Sequence, residues 1–229
     1  MLIFKCVIIN KEVIMLIDIE GTDGCGKKTQ TELLFNYLVS KGKKCKIVSF
    51  PNYDSPSSAL VKMFLGGEFG SSADSIDAYQ ASAFYAVDRV ATMSKINVDE
   101  YDYVIFDRYS QSNMIHQSAR IKERTDLDKF LNWVDDFEFN KMRLPRPNKI
   151  LFLDMPVEQS LGLARKRDSL KNGQTHDILE EDTEHMHCAY SNAKYVASKF
   201  GWESVNCAPN GKLKTIDEIH KEILTKLGV

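Results

Sequence analysis

The chain has 229 residues, enough for one α/β domain with a sizeable core, and its 43% hydrophobic and 27% charged residues are ordinary for a globular protein. Thirty basic residues against thirty-two acidic ones give a net charge of −2, without the basic excess that marks nucleic-acid binding. The five cysteines (Cys6, Cys25, Cys45, Cys188 and Cys207) are widely spaced and include no Cys-x-x-Cys pair, which favours a reducing cytoplasm over a disulfide framework or a zinc site.

In chain order, the first fourteen residues are apolar, but their uninterrupted apolar part is too short to span a bilayer. They also lack a small-residue cleavage site of the secretory kind. Residues 1–14 are expected to be an extension outside the core fold, with Met15 opening the first strand. Short runs rich in Val, Ile, Leu and Phe predict strands at 15–19, 44–50, 103–107, 149–154 and 202–206, each apolar enough to be buried on both faces. Amphipathic helices are predicted at 30–40, 77–97, 127–142, 157–166, 183–200 and 216–227. Gly42 and Gly201 stand at helix ends, and Pro156 precedes the fourth of these helices, where its fixed φ suits a first turn. Strand and helix alternate throughout, so the expected fold is a five-stranded parallel sheet with helices on both faces, forming one domain over 15–229.

Ligands of such a sheet sit outside the carboxyl ends of the strands. After the first strand the sequence reads Glu20-Gly21-Thr22-Asp23-Gly24-Cys25-Gly26-Lys27-Lys28-Thr29 and then enters a helical pattern. Three glycines allow successive backbone N–H groups to converge on one anion, the helix start adds partial positive charge, and Lys27 adds a full one. The Gly-x-x-x-x-Gly-Lys pattern normally continues with Ser or Thr, whose hydroxyl binds Mg²⁺; here that residue is Lys28. Thr29 is one helical step on, about 100° around the axis, and is not a simple substitute.

Three other segments carry candidate chemistry. Asp107-Arg108-Tyr109 ends a strand level with the glycine loop, where Asp107 could hold Mg²⁺ through water and Arg108 could grip a phosphate with two prongs, unless the two are a surface pair capping the next helix. Tyr85 and Arg89, spaced i, i+4 on one helical face, read as ordinary core at helical spacing or as a site for a flat heterocycle, stacked by one and hydrogen-bonded by the other. The basic stretch Arg165-Lys166-Arg167, with Lys171 and the acidic run ending at Asp182, reads as a charged helical lid over about 165–182 or as a solvated loop. The five histidines show no metal-ligand spacing.

Together these segments resemble the thymidylate kinase family of nucleoside monophosphate kinases, built on a phosphate-binding P-loop. The resemblance runs from about Met15 to the C-terminus and rests on residues 20–30, Phe50-Pro51, Tyr85-Ala-Val-Asp-Arg89, the run from Asp107-Arg-Tyr to Gln117, Leu144-Pro-Arg-Pro147 and Leu153-Asp154. It implies transfer of the γ-phosphoryl of ATP to dTMP, giving dTDP and ADP for dTTP synthesis, with Mg²⁺ as cofactor and a homodimer as the working unit. Gly21, Thr22, Asp23, Gly24, Cys25, Gly26, Lys27, Lys28 and Thr29 would form the ATP side, with Lys27 on the phosphates and Asp107 near the metal. On the dTMP side, the resemblance implies Asp23 at the 3′-hydroxyl, Arg108 on the phosphate, Tyr85 stacked on thymine and Arg89 bonded to it, with Phe50, His116 and Gln117 nearby. Since the loop holds no arginine, the catalytic cation would come from the lid, with Arg165, Arg167 and Lys171 as candidates. No nucleic acid or membrane is expected as a partner. Besides Lys28, two positions depart from the family: Tyr53 stands where an arginine often binds phosphate, and His116 where an aromatic usually packs near thymine. A related kinase with another deoxynucleotide or deoxynucleoside acceptor, and a nucleotide-binding relative with impaired catalysis, are the alternatives.

Overall fold

A computed structural model describes residues 14–70, 75–169 and 183–229, with side chains from 164 to 169 and at 183 outside the description. Five parallel strands, β1 (Met15–Glu20), β2 (Cys45–Ser49), β3 (Tyr103–Asp107), β4 (Lys149–Asp154) and β5 (Glu203–Asn206), form one sheet in the order β2-β3-β1-β4-β5. The helices are α1 (Lys27–Ser40), α2 (Ala59–Leu65), α3 (Ala78–Met93), α4 (Gln111–His116), α5 (Arg124–Asp135), α6 (Val157–Ser169), α7 (Thr183–Phe200) and α8 (Ile216–Leu227).

Strand side chains alternate between faces, and both faces are apolar here. Ile17, Ile19, Ile105, Leu151, Leu153 and Val205 meet Leu34 and Leu38 of α1 and Ile219 and Ile223 of α8. On the other face Leu16, Val104 and Phe106 pack with Met93 of α3, Tyr109 and Phe139, while Phe152 joins residues of α4, α5 and α7. Burying each Leu or Ile in these layers contributes about 2 kcal/mol. Helix ends follow local chemistry. Asp77 and Gln80 form a reciprocal capping box for α3, Thr215 and Glu218 do the same for α8, and Gly228 closes α8 in a left-handed conformation.

Several expected boundaries move. The helix expected over 77–97 stops at Met93, with Ser94 as its cap, because Asn97 turns the chain into a short 3-10 segment, Val98–Glu100. The expected helix 127–142 is α5 followed by a widened π-type turn, Asp136–Lys141, in which Met142 N–H reaches the Phe137 carbonyl at 2.8 Å. α2 and α4 are additional: Ser55 caps the turn before α2, and α4 continues directly from the Asp107-Arg108-Tyr109 segment. Ile14, placed with the N-terminal extension, is partly buried against the second apolar face; the rest of that extension lies outside the described residues.

One residue of β1 contradicts its surroundings. Asp18 is fully buried between Leu16 and Glu20, on the face of Phe106, and neither carboxylate oxygen finds a hydrogen-bond partner among the described residues. Burial, reinforced by Glu20, pushes its carboxyl well above the usual range. The native state therefore holds a proton that the unfolded chain releases near pH 4, so folding weakens as pH rises from about 4 through the folded value. Replacing Asp18 by Leu, close to it in shape, is expected to stabilise the protein by about 2 kcal/mol at pH 8 and to flatten that decline. Urea unfolding at pH 5 and pH 8 checks it; a variant no more stable than the parent at pH 8 rejects it.

Candidate active site

The chain leaves β1 through the glycine loop and enters α1 at Lys27. Gly21 (φ 153°) admits no side chain, since a Cβ there would lie 2.6 Å from Cys25 Sγ and 3.1 Å from the Leu153 carbonyl. Gly26, at φ 93°, takes a left-handed turn directly before the helix, a conformation a Cβ disfavours. Lys27 is 6% exposed, and its ammonium donates to the carbonyls of Gly21 and Thr22 at 2.8 Å each, with Asp23 Oδ1 at 3.9 Å. Cys25 packs in the main apolar cluster, and burial pushes its thiol up, away from the thiolate form.

β3 lies beside β1 and delivers the second group of residues. Arg108 follows it with φ 68°, uncommon for a residue bearing a Cβ, and its guanidinium pairs with Asp23. Burial alone would raise the Asp23 carboxyl; the adjacent Arg108 holds it well below the usual range instead. Behind them Glu20 is fully buried and accepts from the Tyr109 N–H at 2.8 Å and the Ser112 hydroxyl at 2.9 Å. Tyr109 belongs to the core, stacked on Phe106 with ring centroids 4.1 Å apart. Arg89 reaches from α3 and is 1% exposed; its Nε and Nη2 each bond Glu138 at 2.6 Å, and its Nη1 donates to the Tyr109 carbonyl at 3.2 Å. Asn113 donates to Glu138 as well, at 2.8 Å.

Two cavities open beside these residues. One, of about 500 Å³, is bounded by the glycine loop, Lys27, Lys28, Thr29 and Asp107, with an apolar wall of Met155, Leu163, Leu213, Ile216 and Ile219. The other, of about 240 Å³, is bounded by Phe50, Pro51, Tyr53, Leu65, Tyr85, Arg89, Ser112, Asn113, His116 and Gln117. Asp23 and Arg108 line both, so the cavities meet at that ion pair.

The chain matches the family model described as thymidylate kinase over residues 19–204. The chain belongs to the thymidylate kinase family. It is 34% identical over 173 residues to a thymidylate kinase of Mycobacterium tuberculosis (strain ATCC 25618 / H37Rv), covering 74% of this chain and 79% of that one. It is 29% identical over 210 residues to a probable thymidylate kinase of Methanococcus aeolicus, covering 91% and 93%. A thymidylate kinase of Fervidobacterium nodosum is 27% identical over 210 residues, with 92% and 96% covered. The protein is thus a phosphotransferase of the nucleoside monophosphate kinase type.

Against this family background, the structure gathers Asp23, Phe50, Tyr85, Arg89, Arg108, His116 and Gln117 around one cavity, and residues 23–29 with Asp107 around the other. Gly21 and buried Thr22 shape the loop. Arg165 and Arg167 fall on α6, but their side chains, and Lys171 with the remainder of the expected lid, lie outside the described residues. Sequence reasoning missed Glu20, Asn113, Glu138 and the apolar wall. The wall shows only in the structure, where Leu213 and Ile216 are large apolar side chains left 38% and 55% exposed.

Among the described residues no group of three or more His, Cys, Asp or Glu side chains could hold a metal alone. Mg²⁺ in a phosphotransferase usually takes one or two carboxylates together with substrate phosphates, and Asp107 beside the loop fits that habit.

Proposed function

We propose that the protein transfers the γ-phosphoryl group of ATP to dTMP, giving dTDP and ADP. The observation that carries this reading is the meeting of two cavities at Asp23 and Arg108, with a phosphate-binding loop on one side and a polar-lipped aromatic niche on the other. The adenine of ATP would lie on the apolar wall of Met155, Leu213 and Ile216, with its phosphates on the loop amides. Lys27, tethered to the Gly21 and Thr22 carbonyls, would turn its ammonium onto those phosphates. On the far side the dTMP phosphate would meet Arg108, while thymine stacks on Tyr85 within reach of Arg89, Asn113 and Gln117. Phosphoryl transfer needs positioning and charge neutralisation more than a protein nucleophile, which agrees with a site rich in cations and amides.

Mg²⁺, held through Asp107 and phosphate oxygens, would neutralise charge that builds on the transferring group. Arg165, Arg167 and Lys171 would add the late cation from the lid. The reading extends to a cytoplasmic homodimer. Four unpaired cysteines among the described residues favour a reducing compartment, and the exposed Tyr79 and Val87 of α3 offer an apolar face for a second copy. Sedimentation at micromolar concentration tests the dimer.

A coupled ADP-release assay across dTMP, dUMP, dCMP and thymidine tests the acceptor, and dTMP is expected to give the highest kcat/KM. A higher value for another acceptor would replace dTMP in this reading, and no acceptor-dependent ADP release would remove catalysis from it.

Lys28 allows a sharper test of the metal. It lines the ATP cavity, is exposed, and occupies the position whose hydroxyl usually binds Mg²⁺. Lys28→Ser removes a cation and adds an oxygen ligand, so the Mg²⁺ concentration giving half-maximal rate is expected to fall about threefold to tenfold. A Mg²⁺ titration that matches the parent's would argue that Lys28 plays no part near the metal.

A further inference from the structure

Arg108 is held from two sides. Nη2 bonds the carboxylate of Asp23, and Nη1 lies 3.0 Å from Nε2 of His116, at the end of α4. The two holders differ in kind. Asp23 supplies an opposite charge, whereas the proton inventory of the second contact dictates the form of His116. A guanidinium offers only N–H donors and keeps its proton, so Nε2 must present a lone pair and the ring proton must sit on Nδ1. An imidazolium there would place a second cation 3.0 Å from the first. His116 is 8% exposed. The charged or titratable groups that act on it are Asp23 from the loop, Arg108 beyond β3, Lys27 of α1 and His185 of α7. Burial is the largest influence and pushes the imidazole down to about 3.

We infer that His116 is a positioning residue, a neutral hydrogen-bond acceptor that aims the Arg108 fork into the acceptor cavity without neutralising it. This rests on reading that cavity as the dTMP site. The reason for a neutral second holder is electrostatic. An incoming phosphate competes with Asp23 for the N–H groups of Arg108, and a second carboxylate would repel the dianion while sharing the same cation. A neutral imidazole fixes the direction of Nη1 and leaves the positive charge available to the ligand. It also keeps the fork from rotating about its single strong partner while the phosphate arrives. His116 and Arg108 line the same cavity, with Asn113 one turn before His116 on α4 and Gln117 directly after it, so the aim and the niche are set by one short stretch of chain.

The test combines kinetics with a measurement that does not depend on turnover. Parent, His116→Gln and His116→Leu are compared for KM toward dTMP and toward ATP, and for kcat. His116→Leu is expected to raise KM for dTMP about tenfold, with kcat and KM for ATP within about twofold, the pattern of lost ground-state binding. The amide oxygen of His116→Gln can stand where Nε2 stands, so this variant is expected to bring KM for dTMP back to within about threefold of the parent. A His116→Leu enzyme with the parent's KM for dTMP, or a His116→Gln enzyme no better than His116→Leu, would overturn the inference. In the unaltered protein, nitrogen-15 NMR of the histidine rings is expected to show one ring, identified by its loss in His116→Gln, with its proton on Nδ1 and no titration between pH 5 and 9. A ring protonated on Nε2, or titrating near the ordinary value of about 6.5, would overturn it equally. Should the parent fail to phosphorylate dTMP, the functional reading falls, while the NMR result still decides the contact between His116 and Arg108.

Discussion

Arg108→Met is expected to lower kcat/KM for dTMP about 1000-fold, the largest loss of activity foreseen for a single substitution in the described site. Among the described residues Arg108 is the one basic side chain that lines both cavities, so on the proposed reading its removal takes away a cation that acceptor and donor phosphates would share. It also leaves two carboxylates without their counter-charge. Asp23 loses its bonded partner, and Glu20, which burial already raises, loses the Arg108 attraction that holds its carboxyl down. Asp23, deprived of that partner at the junction of the two cavities, would then oppose an incoming dianion. Arg108→Lys keeps the charge but presents a single ammonium in place of a planar fork, so it cannot serve Asp23 and a phosphate with the same geometry. It is expected to recover only part of the loss, reaching about 1–10% of the parent kcat/KM. Steady-state kinetics with dTMP varied at saturating ATP decides the matter. An Arg108→Met enzyme within about threefold of the parent would reject Arg108 as a phosphate ligand.

Arg108 was legible in the sequence because its setting is local: a strand end, an adjacent acid and a glycine loop on the neighbouring strand. The strands were legible for a related reason. A parallel strand buried on both faces must be apolar over its whole length, and Tyr103–Asp107 and Lys149–Asp154 carry that signature with little interference. The same reasoning hid Asp18. Placed among Leu16, Ile17 and Ile19, it reads as one polar interruption, and only the alternation of faces shows that it points into an apolar layer. The π-type turn after α5 left no mark because its residues are as helical in composition as those before it; the widening appears in the backbone hydrogen bonds, among them Met142 N–H to the Phe137 carbonyl. Glu138 was out of reach for a further reason. It lies 49 positions from Arg89, and nothing near it in the chain announces a partner. Tyr85 and Arg89 were expected to work as a pair on one heterocycle; both line the acceptor cavity, but Arg89 is also anchored to the protein on three of its N–H groups.

That anchoring makes Glu138→Ala the substitution with the largest expected effect on stability, a loss of about 3–5 kcal/mol. Glu138 is fully buried and Arg89 is 1% exposed, so removing the carboxylate strands a guanidinium that cannot shed its proton. Asn113 loses its 2.8 Å bond to the same carboxylate, and a side-chain void is added. Urea unfolding at pH 7 measures the change, and a loss below about 1 kcal/mol would contradict the account. The pair can also be separated into structural and functional parts. A buried ion pair replaced as a unit by apolar side chains is often no less stable, because the cost of desolvating both charges disappears with them. The double variant Arg89→Met with Glu138→Leu is therefore expected to regain most of the stability lost in Glu138→Ala. Its kcat/KM for dTMP is expected to stay at least tenfold below the parent, since the donor proposed to meet the base is gone. Recovery of both stability and activity would mean that Arg89 serves only to hold α3 against the widened turn after α5. Recovery of stability alone would place Arg89 in base recognition, with Glu138 as the group that aims it.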